Sequence, residues 1–143
     1  QAIDSQLGIN RVQEFLNKIE YGNQTTSSNL DLYWSDFSLK ISPLEQVTLL
    51  KKFNTNEFHL NFQNVFSVKN AIKIASTPNG NFYGKTGTGR VNGQDINGWF
   101  IGYVETSDNS YYFATNIQSD SNATGKKAFE ITSDILKKLH IWN

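Results

Sequence analysis

Gly84-Lys85-Thr86-Gly87-Thr88-Gly89, then the turn dipeptide Asn92-Gly93, then Asn97-Gly98-Trp99-Phe100-Ile101-Gly102-Tyr103, is the stretch that decides how this chain folds. Residues 82–91 and 96–104 are rich in aromatic and β-branched side chains, and Asn-Gly between two such runs is a strong short-range signal for a β-hairpin. A third run, 111–117, lies beyond Asp108-Asn109, so the three segments read as an antiparallel meander. In the middle segment Trp99, Ile101 and Tyr103 point one way, and Phe100 and Val104 the other. Both faces are therefore expected to be covered, as in a sheet packed between helices.

Helical periodicity flanks this meander. Ile9, Val12, Phe15, Leu16 and Ile19 recur at helical spacing in a segment ending at Tyr21-Gly22-Asn23, and a polar loop follows over 24–29. Ser42-Pro43-Leu44-Glu45 supplies an N-cap, a proline at the first helical position and a glutamate that closes a capping box. Val65, Val68, Ile72 and Ala75 predict a further helix, stopped by Pro78. Ala128, Ile131, Ile135 and Leu139 predict a closing helix. The fold class is α+β, with an antiparallel sheet packed between helices from both ends of the chain.

The 143 residues are one domain or a piece of one, without internal repeat or linker, and 38% hydrophobic composition is enough for a core. With 13 acidic and 13 basic residues dispersed along the chain, no charge block points to nucleic acid. There is no cysteine, which excludes disulfides and thiolate metal sites. His59 and His140 have no third ligand at metal-binding spacing, so no metal or other cofactor is expected. The apolar runs fall far short of the roughly 20 residues of a membrane span.

The lysine-threonine-glycine segment carries the chemistry. Side chains alternate along a strand, so Thr86 and Thr88 share one side and Lys85 takes the other. Glycine at 87 and 89 lets a ligand approach the backbone, where a peptide-like amide can pair with the strand edge. An isolated match of this kind is most simply a twisted strand end with an exposed lysine, so context decides. A phosphate loop is the sharper rival, since Gly80-Asn-Phe-Tyr-Gly-Lys-Thr approaches its pattern. It is one residue short between the glycines, and a strand follows where a helix N-terminus is required.

With these companions the sequence resembles the penicillin-recognising serine acyltransferases, in which a Lys-Thr-Gly strand is a defining motif, and among them the class D β-lactamases. Tyr21-Gly22-Asn23 is similar to the class D Tyr-Gly-Asn motif, Tyr33-Trp34 to the family's active-site tryptophan, and Asn97-Gly-Trp-Phe-Ile-Gly-Tyr to its Gly-Trp-x-x-Gly-Trp strand. The likeness is greatest to the penicillin-sensor domains of integral-membrane transducers that control induced resistance, specifically those regulating methicillin resistance. The resemblance implies a partial serine β-lactamase/penicillin-binding (transpeptidase-like) fold. It also implies an extracellular domain of a bacterial cell-membrane protein, with β-lactam antibiotics as covalent ligands, and the rest of the sensor domain and a membrane-embedded transducer as partners.

Lys85 is implied to support the ligand and proton transfer near the serine. Thr86 and Thr88 are implied to bind the ligand carboxylate, Gly87 to line the strand, the Thr88 N–H to complete an oxyanion hole, and Trp34 to border the site.

The family's Ser-x-x-Lys is absent from the chain, and Ser27-Ser28-Asn29 falls after Tyr21 rather than before it. Residues 1–143 are therefore expected to be the carboxyl-terminal part of one sensor domain, with the nucleophile upstream. Hydrolytic class D enzymes usually place an arginine between the last strand and last helix, and between Ile117 and Phe129 there are only Lys126 and Lys127. That leans towards a sensor acylated without efficient turnover. A class D hydrolase or a cell-wall transpeptidase fragment stays open, as does a structural part with no activity alone. Isolated folding is expected to be poor.

Overall fold

A computed structural model describes residues 6–26 and 38–142. The chain divides into two compact units, residues 1–49 and 50–143.

The first unit contains helix α1 (Ile9–Lys18) and the start of α2 (Pro43–Asn54), which crosses the division. The predicted capping box is present: the Ser42 N–H donates to the Glu45 carboxylate at 2.8 Å, and the Glu45 N–H donates to Ser42 Oγ at 3.2 Å. These bonds hold the Glu45 carboxyl below its ordinary range, the Ser42 backbone contributing most. Tyr21-Gly22-Asn23 pins the segment before α2. Asn23 Nδ2 donates to Ser38 O, and Asn23 Oδ1 accepts from Lys40 N. Gly22 is in the left-handed region (φ +49°), where a Cβ would lie 1.9 Å from Lys40 O.

The second unit contains α3 (Phe62–Ala71), strands β1 (Lys73–Thr77), β2 (Gly80–Val91), β3 (Gln94–Thr106) and β4 (Ser110–Gln118), and helix α4 (Gly125–Lys138). The strands form one antiparallel sheet in the order β1-β2-β3-β4. Asn92 and Gly93 both take positive φ, as the tight β2–β3 hairpin requires.

One expectation is corrected here. The helix read through Ile72 and Ala75 to Pro78 ends at Ala71, and residues 73–77 form the edge strand β1. Pro78 stands in the hairpin turn between β1 and β2. Ile72 caps α3, and its carbonyl accepts the Gly84 N–H at 2.8 Å, so cross-strand bonding overrides the helical spacing.

Register sorts the two faces. Phe82, Val104 and Tyr111 share a face with Thr86, Phe100 and Thr115. Helix α4 covers that face, its Ala128 and Leu136 packing into a core with Phe82, Phe100 and Val104. Rings of Phe100 and Phe129 meet edge-on at 5.0 Å, and Thr115 and Thr132 hydroxyls bond at 2.7 Å. The opposite face carries Tyr83, Tyr103 and Tyr112 in one row, and Lys85, Ile101 and Ala114 in the next. The end of α2 and α3 reach it through an Asn54 Nδ2 to Tyr112 hydroxyl bond of 2.9 Å and a Lys69–Glu105 pair at 3.9 Å. Tyr103 is wholly buried there, but Trp99, expected in the core, is only half-buried.

Candidate functional site

The middle of β2 is an exposed strand with one free edge. β1 pairs with β2 only as far as Tyr83, and beyond Gly84 no backbone of the described residues pairs with the outer side of β2. The Gly84 N–H points to that side, towards Ile72 O. Successive residues of a strand turn their N–H and C=O groups to alternate edges, so the N–H groups of Thr86 and Thr88 face the same free edge. Lys85 Nζ curls round to donate to the Thr86 carbonyl at 2.6 Å, placing an ammonium at this edge. Lys85, Thr86, Gly87 and Thr88 are all solvent-exposed.

The side-chain alternation is as expected: Lys85 pairs with Ile101, while Thr86 pairs with Phe100 on the α4 face. The glycines separate into two kinds. A Cβ at Gly84 would meet Phe100 ring atoms at 2.6 Å, one at Gly98 would meet Thr124 O at 2.4 Å, and one at Gly102 would meet Tyr83 O at 2.0 Å. These positions are glycine because the fold leaves no room. At Gly87 a Cβ would meet only Trp99 Cβ, at 3.8 Å, which is ordinary contact. Packing does not require glycine there, and its effect is to bare the backbone on the Lys85 side. Gly89 lies at the register shift with Arg90, where the strand bends.

Helix α4 closes on the other side of β2. Its N-cap Thr124 accepts from Lys127 N, and the Gly125 N–H donates to Thr88 Oγ1 at 2.9 Å. Two N–H groups of the first turn are thereby satisfied, one of them by the candidate site itself. Sequence reasoning missed Gly125, whose only local signal is its place after a threonine cap. Lys126 and Lys127 are exposed. Trp34 lies outside the described residues; the Tyr21 hydroxyl donates to Gln46 Oε1 at 3.3 Å, and Asn23 serves the loop contacts given above. His59 and His140 are exposed.

Burial of Tyr103, with Glu105, Tyr83 and Tyr112 nearby, pushes its phenol well above the ordinary range, and Tyr83 is raised for the same first reason. Both stay neutral at physiological pH. Among the described residues no group of three or more His, Cys, Asp or Glu side chains is placed to hold a metal, and no helix is long and apolar enough to cross a membrane.

An exposed Lys-Thr-Gly-Thr edge in this sheet defines a class, and the chain belongs to it: residues 1–137 match the family described as penicillin binding protein transpeptidase domain. Among individual relatives, it is 46% identical over 99% of its length to regulatory protein BlaR1 of Bacillus licheniformis. It is 42% identical over 97% to the methicillin resistance mecR1 protein of Staphylococcus aureus. The solved C-terminal domain of the Bacillus licheniformis BlaR penicillin-receptor superposes with a TM-score of 0.93 at 44% identity, over 99% of this chain and 57% of that one. A class D β-lactamase from Bacillus subtilis superposes at 0.90 with 36% identity, over the same shares. The fold is thus that of the penicillin receptors and class D β-lactamases. The chain spans about a quarter (24%) of the length of the two regulatory relatives.

Proposed function

We propose that residues 1–143 are the carboxyl-terminal part of one extracellular β-lactam-sensing domain of a bacterial membrane transducer, whose acylation induces resistance. The carrying observation is the bare free edge of β2, with outward N–H groups at Thr86 and Thr88, a lysine ammonium at the edge, and a glycine that packing does not demand. In this reading the ligand's amide lies along the edge. A serine outside this segment attacks the lactam carbonyl, the ring C–N bond breaks, and the nitrogen takes up a proton. The Thr88 N–H, with the serine's own, holds the developing oxyanion, a donor of the kind typically worth about 2.7–4 kcal/mol in the transition state. Lys85 supports the anion and the proton transfer. Thr86 and Thr88 receive the ligand carboxylate through charge-assisted hydrogen bonds. Trp34 borders the site by resemblance.

The sensor is favoured over a class D hydrolase or a transpeptidase by the likeness to the regulatory proteins and by the lack of an arginine between Ile117 and Phe129. In the complete domain, Lys85→Ala is expected to slow penicillin acylation at least tenfold and Thr86→Val to weaken capture of the anionic ligand. Unchanged rates in both would take β2 out of the site.

A further inference from the structure

We infer that Gly125 is a positioning residue for the ligand carboxylate, acting through the Thr88 hydroxyl; this rests on the reading of β2 as the ligand wall. Gly125 and Thr88 are 37 residues apart and meet because α4 closes directly on the strand. The approach depends on the missing side chain: a Cβ on Gly125 would lie 2.7 Å from Gly87 O, 2.9 Å from Thr86 Cβ and 3.0 Å from Gly87 N. Any larger residue must lift the first turn of α4 off the strand or push the strand outward.

The bond from Gly125 N–H to Thr88 Oγ1 then has a directional effect. A hydroxyl carries one proton and two acceptor lone pairs. Here one lone pair takes the amide proton of the buried Gly125, so the hydroxyl proton must point elsewhere, away from the helix. Thr88 is exposed, and its hydroxyl is left as a donor to solvent or to an anion in front of the strand. Donation to Thr88 from the positive end of the helix also draws charge from the oxygen, which strengthens its donation onward. The device supplies part of what an arginine would otherwise supply: a fixed donor, backed by partial positive charge, at the carboxylate. The two lysines after Gly125, Lys126 and Lys127, are exposed and offer no comparably fixed donor.

The test uses the complete sensor domain and two probes, benzylpenicillin and its methyl ester, which lacks the anion. Acylation rate constants are measured for wild type, Gly125→Ala, Thr88→Val and the double variant. Gly125→Ala is expected to lower the ratio of the benzylpenicillin rate to the ester rate about tenfold, the scale of one hydrogen bond to a charged group, because displacement of the strand slows both probes alike and cancels in the ratio. The double variant is expected to show a ratio no lower than that of Thr88→Val alone. Equal losses on both probes, or full additivity, would overturn the assignment by making Gly125 merely structural.

Should Gly125→Ala fail to fold, the ligand-free Thr88→Val and Thr88→Ser proteins decide. Exchange of the Gly125 amide must accelerate at least tenfold in the former and recover in the latter, and benzylpenicillin selectivity over the ester must follow the same order. Failure of either correlation sinks the proposal. A wild-type domain that benzylpenicillin never acylates would instead sink the functional reading beneath it.

Discussion

Gly87 and Gly102 are both strand glycines, and the space around them assigns opposite jobs. Gly102→Ala would press a Cβ to 2.0 Å from Tyr83 O, against backbone that cannot move aside, and should destabilise by about 3 kcal/mol or more. Gly87→Ala should leave the melting temperature unchanged or slightly raised, because a strand alanine costs less chain entropy and only Trp99 Cβ lies near, at 3.8 Å. In the complete domain it should nonetheless slow acylation by on the order of tenfold to a hundredfold, since ligand placement tolerates little displacement. Thermal melts paired with labelling rates check both, and a destabilised but fully reactive Gly87→Ala would reverse the assignment. The sidedness of Lys85, Thr86 and Thr88 was legible in the sequence because strand alternation is strict. Gly125 was not, since its partner is set by how α4 closes on β2 and no local pattern encodes that contact.

Among the elements, the meander was legible because aromatic and β-branched residues alternate on both sides of β3 and Asn92-Gly93 marks its turn. β1 was not: its five residues bury no side chain, and it exists through backbone pairing with the start of β2. The helix spacing of Val65, Val68 and Ile72 continued into it by coincidence.

Glu45 has a lowered carboxyl in the folded state, so its contribution is present above its ordinary 4.5 and is lost as pH falls through the lowered folded value. Melts between pH 6 and 3 should lose less in Glu45→Gln than in wild type. Tyr103 is raised in the folded state, so its contribution is present below the unfolded value near 10 and is lost as pH rises above it. A 295 nm titration should show one tyrosine that ionises only with alkaline unfolding; Tyr103→Phe should abolish that phase. The same substitution removes a buried hydroxyl that has no partner among the described residues, and should raise stability by roughly 1 kcal/mol.

At the scale of the molecule, the chain covers 57% of the solved BlaR domain, and the face carrying Lys85 and Trp99 is only partly covered by the described residues. In the proposed reading the serine-bearing part of the domain packs against that face. The isolated 143 residues should therefore take up no penicillin covalently, and stoichiometric labelling of them would refute the location of the nucleophile.

A complete domain built on this β2 edge should hold penicillin as a lasting signal, and intact mass spectrometry after a brief penicillin pulse reads this out. A single adduct of one penicillin per domain that persists for hours is expected. Rapid return to the unmodified mass with accumulating penicilloate would contradict it and make the domain a hydrolase.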